Sequence, residues 1–226
     1  MTKRIDLSDR RQLLDVGGGS GAYTLAFCTA NPLLKATILD FPQTVETAKK
    51  YARQSGLADR VEHLAGNAIT TDWPKGHDVI FMSYVWSAVG EDDIAILARR
   101  AFDALPSNGL VLVHDFMVDN TREQPPFAAW YLLGSVLDNP DAVCLTPDYV
   151  ERALKQAGFR KNRSHAPRHN YADQGSQAHV TPARFRADSD VGVRPFATYC
   201  TAIRTWSLTG HSGNRQFAIY SRGRRS

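Results

Sequence analysis

The sequence predicts an α/β protein built on a mostly parallel, doubly wound sheet. Two observations carry this expectation. From residue 12 to residue 160, strand-like apolar runs alternate with helix-like segments, a pattern that lays helices on both faces of a parallel sheet. The first strand, ending Leu13-Leu14-Asp15-Val16, also runs straight into the glycine-rich turn Gly17-Gly18-Gly19-Ser20-Gly21. Folds of this kind bind ligands outside the carboxyl ends of their strands. A chain of 226 residues that is 43% hydrophobic is long enough for one ample core.

Each element has its own signal. Gln12–Val16 is a short strand, and Tyr23–Asn31 a helix stopped by Asn31-Pro32. Lys35–Asp40 is a second strand, running into Phe41-Pro42. In Gln43–Gln54, Val45, Ala48 and Tyr51 recur at helical spacing, which marks one buried face. Val61–Ala65 is a third strand, and Asp78–Tyr84 a fourth that is apolar enough to be central. Asp92–Ala104 is an amphipathic helix ended by Pro106-Ser107-Asn108-Gly109, and Leu110–His114 is a fifth strand. Thr146–Ala157 is a helix with Thr146 as its N-cap, Pro147 in its first turn and Gly158 beyond its end.

The chain changes character after Arg160. Residues 161–226 carry eleven Lys or Arg against three acidic residues, whereas residues 1–160 carry a net charge of −4. The basic balance therefore belongs to the tail, and the folded part offers no electrostatic case for nucleic acid. The expected organisation is a catalytic domain over 1–160 and a basic, irregular tail over 161–226. One reading of the tail is simple disorder. Another is translation out of frame. Codons compatible with Lys161 onward, read one base later, give Arg-Ile-Glu-Val-Thr-Pro-Leu-Val-Ile-Thr, a run with the strand character that a domain ending at Arg160 lacks. Resequencing would sink this idea if no base is gained or lost near codon 161.

Other classes are disfavoured. No run approaches the 18 or more apolar residues of a membrane span, and Met1–Asp6 lacks the apolar core of a signal peptide. The three cysteines, Cys28, Cys144 and Cys200, form no CxxC pair, so neither a disulfide framework nor a zinc site is indicated. A reducing cytoplasm is the simplest location, with a small molecule, rather than nucleic acid or membrane, as the partner.

The chemistry starts at the glycine turn. Glycines allow sharp bends and close ligand approach, and the following helix N-terminus favours an anionic group. A dinucleotide site would show G-x-G-x-x-G, but here Gly17, Gly19 and Gly21 have the wrong last spacing. Asp15 would repel a pyrophosphate and attract an amino group. S-adenosylmethionine (SAM) has an amino-acid end carrying both ammonium and carboxylate, and it is the expected cofactor. Asp40, ending the second strand, can accept both ribose hydroxyls. Asn67, in Gly66-Asn67-Ala68, can bond the adenine edge.

With these pieces in place, residues 6–160 resemble the catalytic domain of the small-molecule O-methyltransferases, a family that includes caffeate, acetylserotonin and hydroxyneurosporene methyltransferases. The matching stretches are Leu14–Gly21, Leu39-Asp40-Phe41-Pro42, Ala58-Asp59-Arg60-Val61, Leu110–Phe116, Leu145-Thr146-Pro147 and Ala157-Gly158-Phe159. The resemblance implies a Rossmann-like class I SAM-dependent methyltransferase fold. It also implies SAM binding by Gly17, Gly19 and Asp40, with Phe41 beside the adenosine.

Three departures from the family qualify the expectation. Its members carry an N-terminal helical region that dimerises and closes the substrate pocket, and nothing here matches it, so the family's homodimer is doubtful for this chain. The last strands of the sheet are expected to be missing. The family's base histidine, just after the fourth strand, is replaced by Trp86 or Ser87 within Ser83–Glu91. A phenol or alcohol acceptor benefits from a base, whereas a thioether attacks through its sulfur lone pair. The missing histidine therefore admits a thioether acceptor, as in the methylthiohydroxybutyrate S-methyltransferases of dimethylsulfoniopropionate synthesis. Alternatively, another base serves. The expected catalytic residues are His114 and Asp115, at the end of the fifth strand, and Trp86. The competing readings are an NAD-dependent oxidoreductase and a non-catalytic fragment of a methyltransferase.

Overall fold

The computed structural model describes residues 5–161 and 216–222. Its core is a seven-stranded sheet. The strands are β1 (Gln12–Val16), β2 (Lys35–Asp40), β3 (Val61–Ala65), β4 (Val79–Ser83), β5 (Leu110–Asp115), β6 (Arg160–Lys161) and β7 (Gln216–Ser221), in the order β3-β2-β1-β4-β5-β7-β6. β1 to β5 are parallel, and β7 runs antiparallel to both β5 and β6. The sequence order reverses at β1 and β4, the switch point where ligands bind in open α/β sheets.

The expectation that the last strands are missing is overturned. β7 comes from within the basic tail, and both of its faces are covered. Ile219 is buried on one side of the sheet and Tyr220 on the other. A strand enclosed on both faces reads as a short apolar run rather than an alternation, and Phe217-Ala218-Ile219-Tyr220 is easily lost among its polar neighbours. Residues 162–215, on which the readings of disorder and of translation out of frame both bear, lie outside the described residues.

The helices are α1 (Ala22–Ala30), α2 (Pro42–Gln54), α3 (Glu91–Ala104), α4 (Pro126–Asp138) and α5 (Pro147–Gln156). Thr146 caps α5 as expected, its hydroxyl accepting from the Tyr149 N–H at 3.1 Å. Glu91, Asp92 and Asp93 open α3, where acidic side chains favour the positive end of the helix dipole. The sequence reading missed α4. Phe127, Trp130, Leu133 and Leu137 of α4 are exposed, so the segment lacks the polar face that marks an amphipathic helix.

Two apolar layers hold the sheet. One joins Leu14, Val16, Met82 and Val113 to α3 and α5, and the other joins Leu13, Ile38, Phe81 and Leu112 to Phe27 of α1. Asp78 fastens the start of β1, its two carboxylate oxygens accepting the N–H groups of Arg11 and Gln12 at 2.9 and 3.0 Å.

Candidate functional site

The glycine turn follows β1 directly. Gly17, Gly19 and Gly21 have φ of +69°, +61° and +77°, a region that L side chains enter at a cost of about 1–2 kcal/mol. The Gly17 N–H donates to the Leu39 carbonyl at 2.7 Å, tying the turn to β2. A Cβ on Gly17 would lie 2.7 Å from Val85 Cγ2, whereas one on Gly19 would meet nothing within 4 Å. Gly17 thus faces protein and Gly19 faces open space.

Asp40 links the turn to the next loop. Its Oδ2 accepts the Gly19 N–H and its Oδ1 the Phe41 N–H, both at 2.7 Å. Burial raises its pKa, and the Gly19, Phe41 and Thr44 hydrogen bonds oppose the rise. A carboxylate has about four lone-pair sites, so one is left for a ribose hydroxyl. Phe41 is half exposed next to it. Asn67 is exposed, and its Oδ1 is occupied by the Ile69 N–H at 2.7 Å, which leaves its amide nitrogen for a ligand.

Asp15 is buried beneath the turn. Thr24 of α1 donates its hydroxyl to Asp15 Oδ2 at 2.5 Å, while Oδ1 has no partner. Burial pushes Asp15 up to about 7, Thr24 holds it down, and Asp40 adds repulsion. Sequence reasoning missed Thr24, although its place in the first turn after the glycines was an available signal.

The catalytic candidates separate. His114 is buried at the end of β5, and its Nδ1 lies 2.8 Å from Ser83 Oγ on the neighbouring strand. Tyr23 of α1 meets the imidazole edge-on at 5.3 Å, and Tyr84 packs on it at 4.8 Å. Phe116 continues this run to Tyr131 of α4. Tyr84 itself has φ +59°, turning the chain out of β4. Asp115 points to the other face. Its Oδ2 accepts the Ser87 N–H at 3.2 Å and its Oδ1 the Phe116 N–H at 2.9 Å. Burial pushes it up to about 6, and these N–H groups restrain the rise.

The structure corrects the place of Trp86. It is fully buried in the α3/α5 layer, and its indole N–H points at Met82 Sδ, 3.4 Å away. A short 3₁₀ turn over Trp86–Ala88 places the ring in the core, where it packs under the loop after β4. Ser87 is also buried. Trp130 of α4 is largely exposed.

No group of three or more metal-binding side chains occurs among the described residues. An open cleft of about 490 Å³, lined in part by Gln12, Glu62, His63 and His77, lies toward the amino ends of the strands, away from the glycine turn.

A parallel sheet switching order at β1 and β4, with Asp15 near the end of β1, a glycine turn after it and Asp40 ending β2, has the class I SAM-dependent methyltransferase fold. Comparison with known proteins agrees. Residues 1–160 match the O-methyltransferase domain family, and the chain belongs to it. It is 34% identical over 162 residues to an L-tyrosine C(3)-methyltransferase of Streptomyces lavendulae, covering 69% of this chain and 43% of that protein. It is 32% identical over 125 residues to a 3-hydroxy-5-methyl-1-naphthoate 3-O-methyltransferase of Streptomyces sahachiroi, covering 55% of this chain and 36% of that protein. The crystal structure of the S-adenosylmethionine-dependent methyltransferase SibL superposes with a TM-score of 0.65 at 25% identity, covering 97% of this chain and 52% of that one. The chain spans less than half the length of these two curated relatives. Structures of the same fold hold SAM or its demethylated product. The present residues fit SAM: an unpartnered buried oxygen on Asp15, a Gly19 whose Cβ space is open, and an Asp40 with a lone pair to spare.

Proposed function

We propose that this chain forms the catalytic part of an enzyme that methylates a hydroxyl of a small aromatic molecule. The observation that carries this reading is His114, held against Ser83 and walled by Tyr23 and Tyr84 at the carboxyl ends of β4 and β5. SAM, when bound, supplies a methyl group on a sulfonium, open to in-line displacement. The glycine turn and Asp15 hold its amino-acid end, Asp40 its ribose, and Phe41 and Asn67 its adenosine.

His114 is the proton acceptor. Ser83 Oγ, 2.8 Å from Nδ1, holds the imidazole at the strand end, and positioned bases of this kind contribute about 10²–10⁴-fold. Asp115 is a positioning residue: by accepting the Ser87 and Phe116 N–H groups it fixes the loops after β4 and β5. The aromatic run through Phe116 and Tyr131 suits a flat acceptor, and two relatives are named for methylating tyrosine and a hydroxynaphthoate. A thioether acceptor has no proton to lose and would make no use of the Ser83–His114 pair.

The test is methyl transfer from methyl-labelled SAM to paired panels of phenols and thioethers, with the methylated atom located by NMR. Labelled O-methyl products that disappear in His114→Gln support the reading. Labelling of thioethers alone, with His114→Gln fully active, rejects it in favour of sulfur methylation.

A further inference from the structure

We propose that docking of SAM on the glycine turn is linked to release of one proton from Asp15, with Thr24 selecting the carboxylate oxygen left to face the ligand's ammonium. The inference rests on the family's cofactor and not on the identity of the acceptor.

The geometry has three parts. Asp15 is 1% exposed at the end of β1. The Thr24 hydroxyl, itself fully buried, takes Oδ2 and leaves Oδ1 without a partner. Gly18 lies directly over the carboxylate, where a Cβ would stand 2.8 Å from Asp15 Cγ and Oδ2. A buried anion served by one hydroxyl is poorly solvated, and the groups around it do not help. Asp40 faces it from the end of β2 as a like charge. Cys28 faces it from α1, and the charge of Arg60 acts on Cys28. Among the described residues no cation exerts a marked effect on Asp15, consistent with a carboxyl lifted to about 7.

In the empty site, then, Asp15 is largely a neutral acid in mildly acidic solution. An ammonium brought over the turn supplies the missing opposite charge and favours the carboxylate. The O–H bond of the acid breaks, the electron pair stays on Asp15, and the proton passes to solvent. Below pH 7 the ligand's amino group remains an ammonium, so the released proton is the protein's.

The experiment is calorimetric titration of the chain with SAM from pH 5.5 to 7.0, at each pH in two buffers of unlike ionisation enthalpy. The expected result is an affinity rising up to about tenfold per pH unit and levelling near neutrality, with close to one proton released at pH 6. Asp15→Asn abolishes the buffer dependence and weakens binding. Thr24→Val keeps proton release but moves the levelling point to higher pH. If either variant fails to fold, carbon-13 carboxyl NMR of the native chain reads Asp15 directly, with a midpoint near 7 when empty and a clear acid shift with SAM. Heats independent of buffer, an empty-state Asp15 titrating in the ordinary carboxylate range, or no binding of SAM at any pH would each overturn the proposal.

Discussion

Replacing Gly17 and Gly19 separately by alanine divides the turn into a structural half and a ligand half. Both glycines sit at positive φ, +69° and +61°, so each alanine costs about 1–2 kcal/mol of backbone strain. There the two sites part. The Gly17 Cβ would lie 2.7 Å from Val85 Cγ2, and β-branched valine has little χ1 freedom with which to yield. Overpacking of this kind adds about 1–3 kcal/mol, for a total of about 2–5 kcal/mol in Gly17→Ala. The Gly19 Cβ meets nothing, so Gly19→Ala stays near the strain cost alone. Its methyl projects instead into the space assigned to SAM, and it weakens SAM binding more than it weakens the fold. Urea unfolding gives the stabilities and calorimetry the affinities. Val85→Ala should recover about 1–3 kcal/mol in the Gly17→Ala background, after its own cost is subtracted in a double-mutant cycle. Equal destabilisation by the two glycine variants, or no recovery through Val85, would refute this division.

Four further outcomes are expected. His114→Gln lowers turnover by about 10²–10⁴-fold while leaving the SAM dissociation constant within a few-fold, as steady-state kinetics beside calorimetry will show. Trp86→Ala costs about 3–5 kcal/mol in urea unfolding, because it empties a fully buried site, whereas a pocket residue would cost far less. Asp15 and Asp115 are raised to about 7 and about 6. Between pH 4 and those values the unfolded chain has already lost protons that the folded chain keeps, so stability is greatest on the acid side. It falls by up to about 1.4 kcal/mol per pH unit for each group as pH rises through the window, and Asp15→Asn flattens the slope in denaturation curves at pH 5, 6 and 7. Thr146→Ala removes the α5 cap and costs about 1 kcal/mol by urea unfolding.

What was legible in the sequence was local. The glycine turn, Asp15 and Asp40 lie at fixed distances along adjoining elements, and the spacing of Gly17, Gly19 and Gly21 together with the charge of Asp15 separated SAM from a dinucleotide. The cap at Thr146 was legible for the same reason. Contacts made across the sheet were not. Ser83 and His114 meet because β4 and β5 are paired in parallel register, 31 residues apart in sequence, and no periodicity records that. Trp86 stands where the resemblance places the family's base histidine, but a single 3₁₀ turn buries its ring, and a position in a motif does not record that. α4 escaped notice because its apolar side chains are exposed, which erases the amphipathic pattern. β7 escaped because both of its sides are covered, so its six residues carry no alternation.

The turn after β1, together with Asp40, is the SAM site proposed above. Calorimetric titration of the chain with SAM and, separately, with NAD tests it most directly. The prediction is one-to-one binding of SAM, weakened by Gly19→Ala and by Asp40→Ala, with no heat from NAD. Binding of NAD in place of SAM, or SAM binding indifferent to both substitutions, would contradict it.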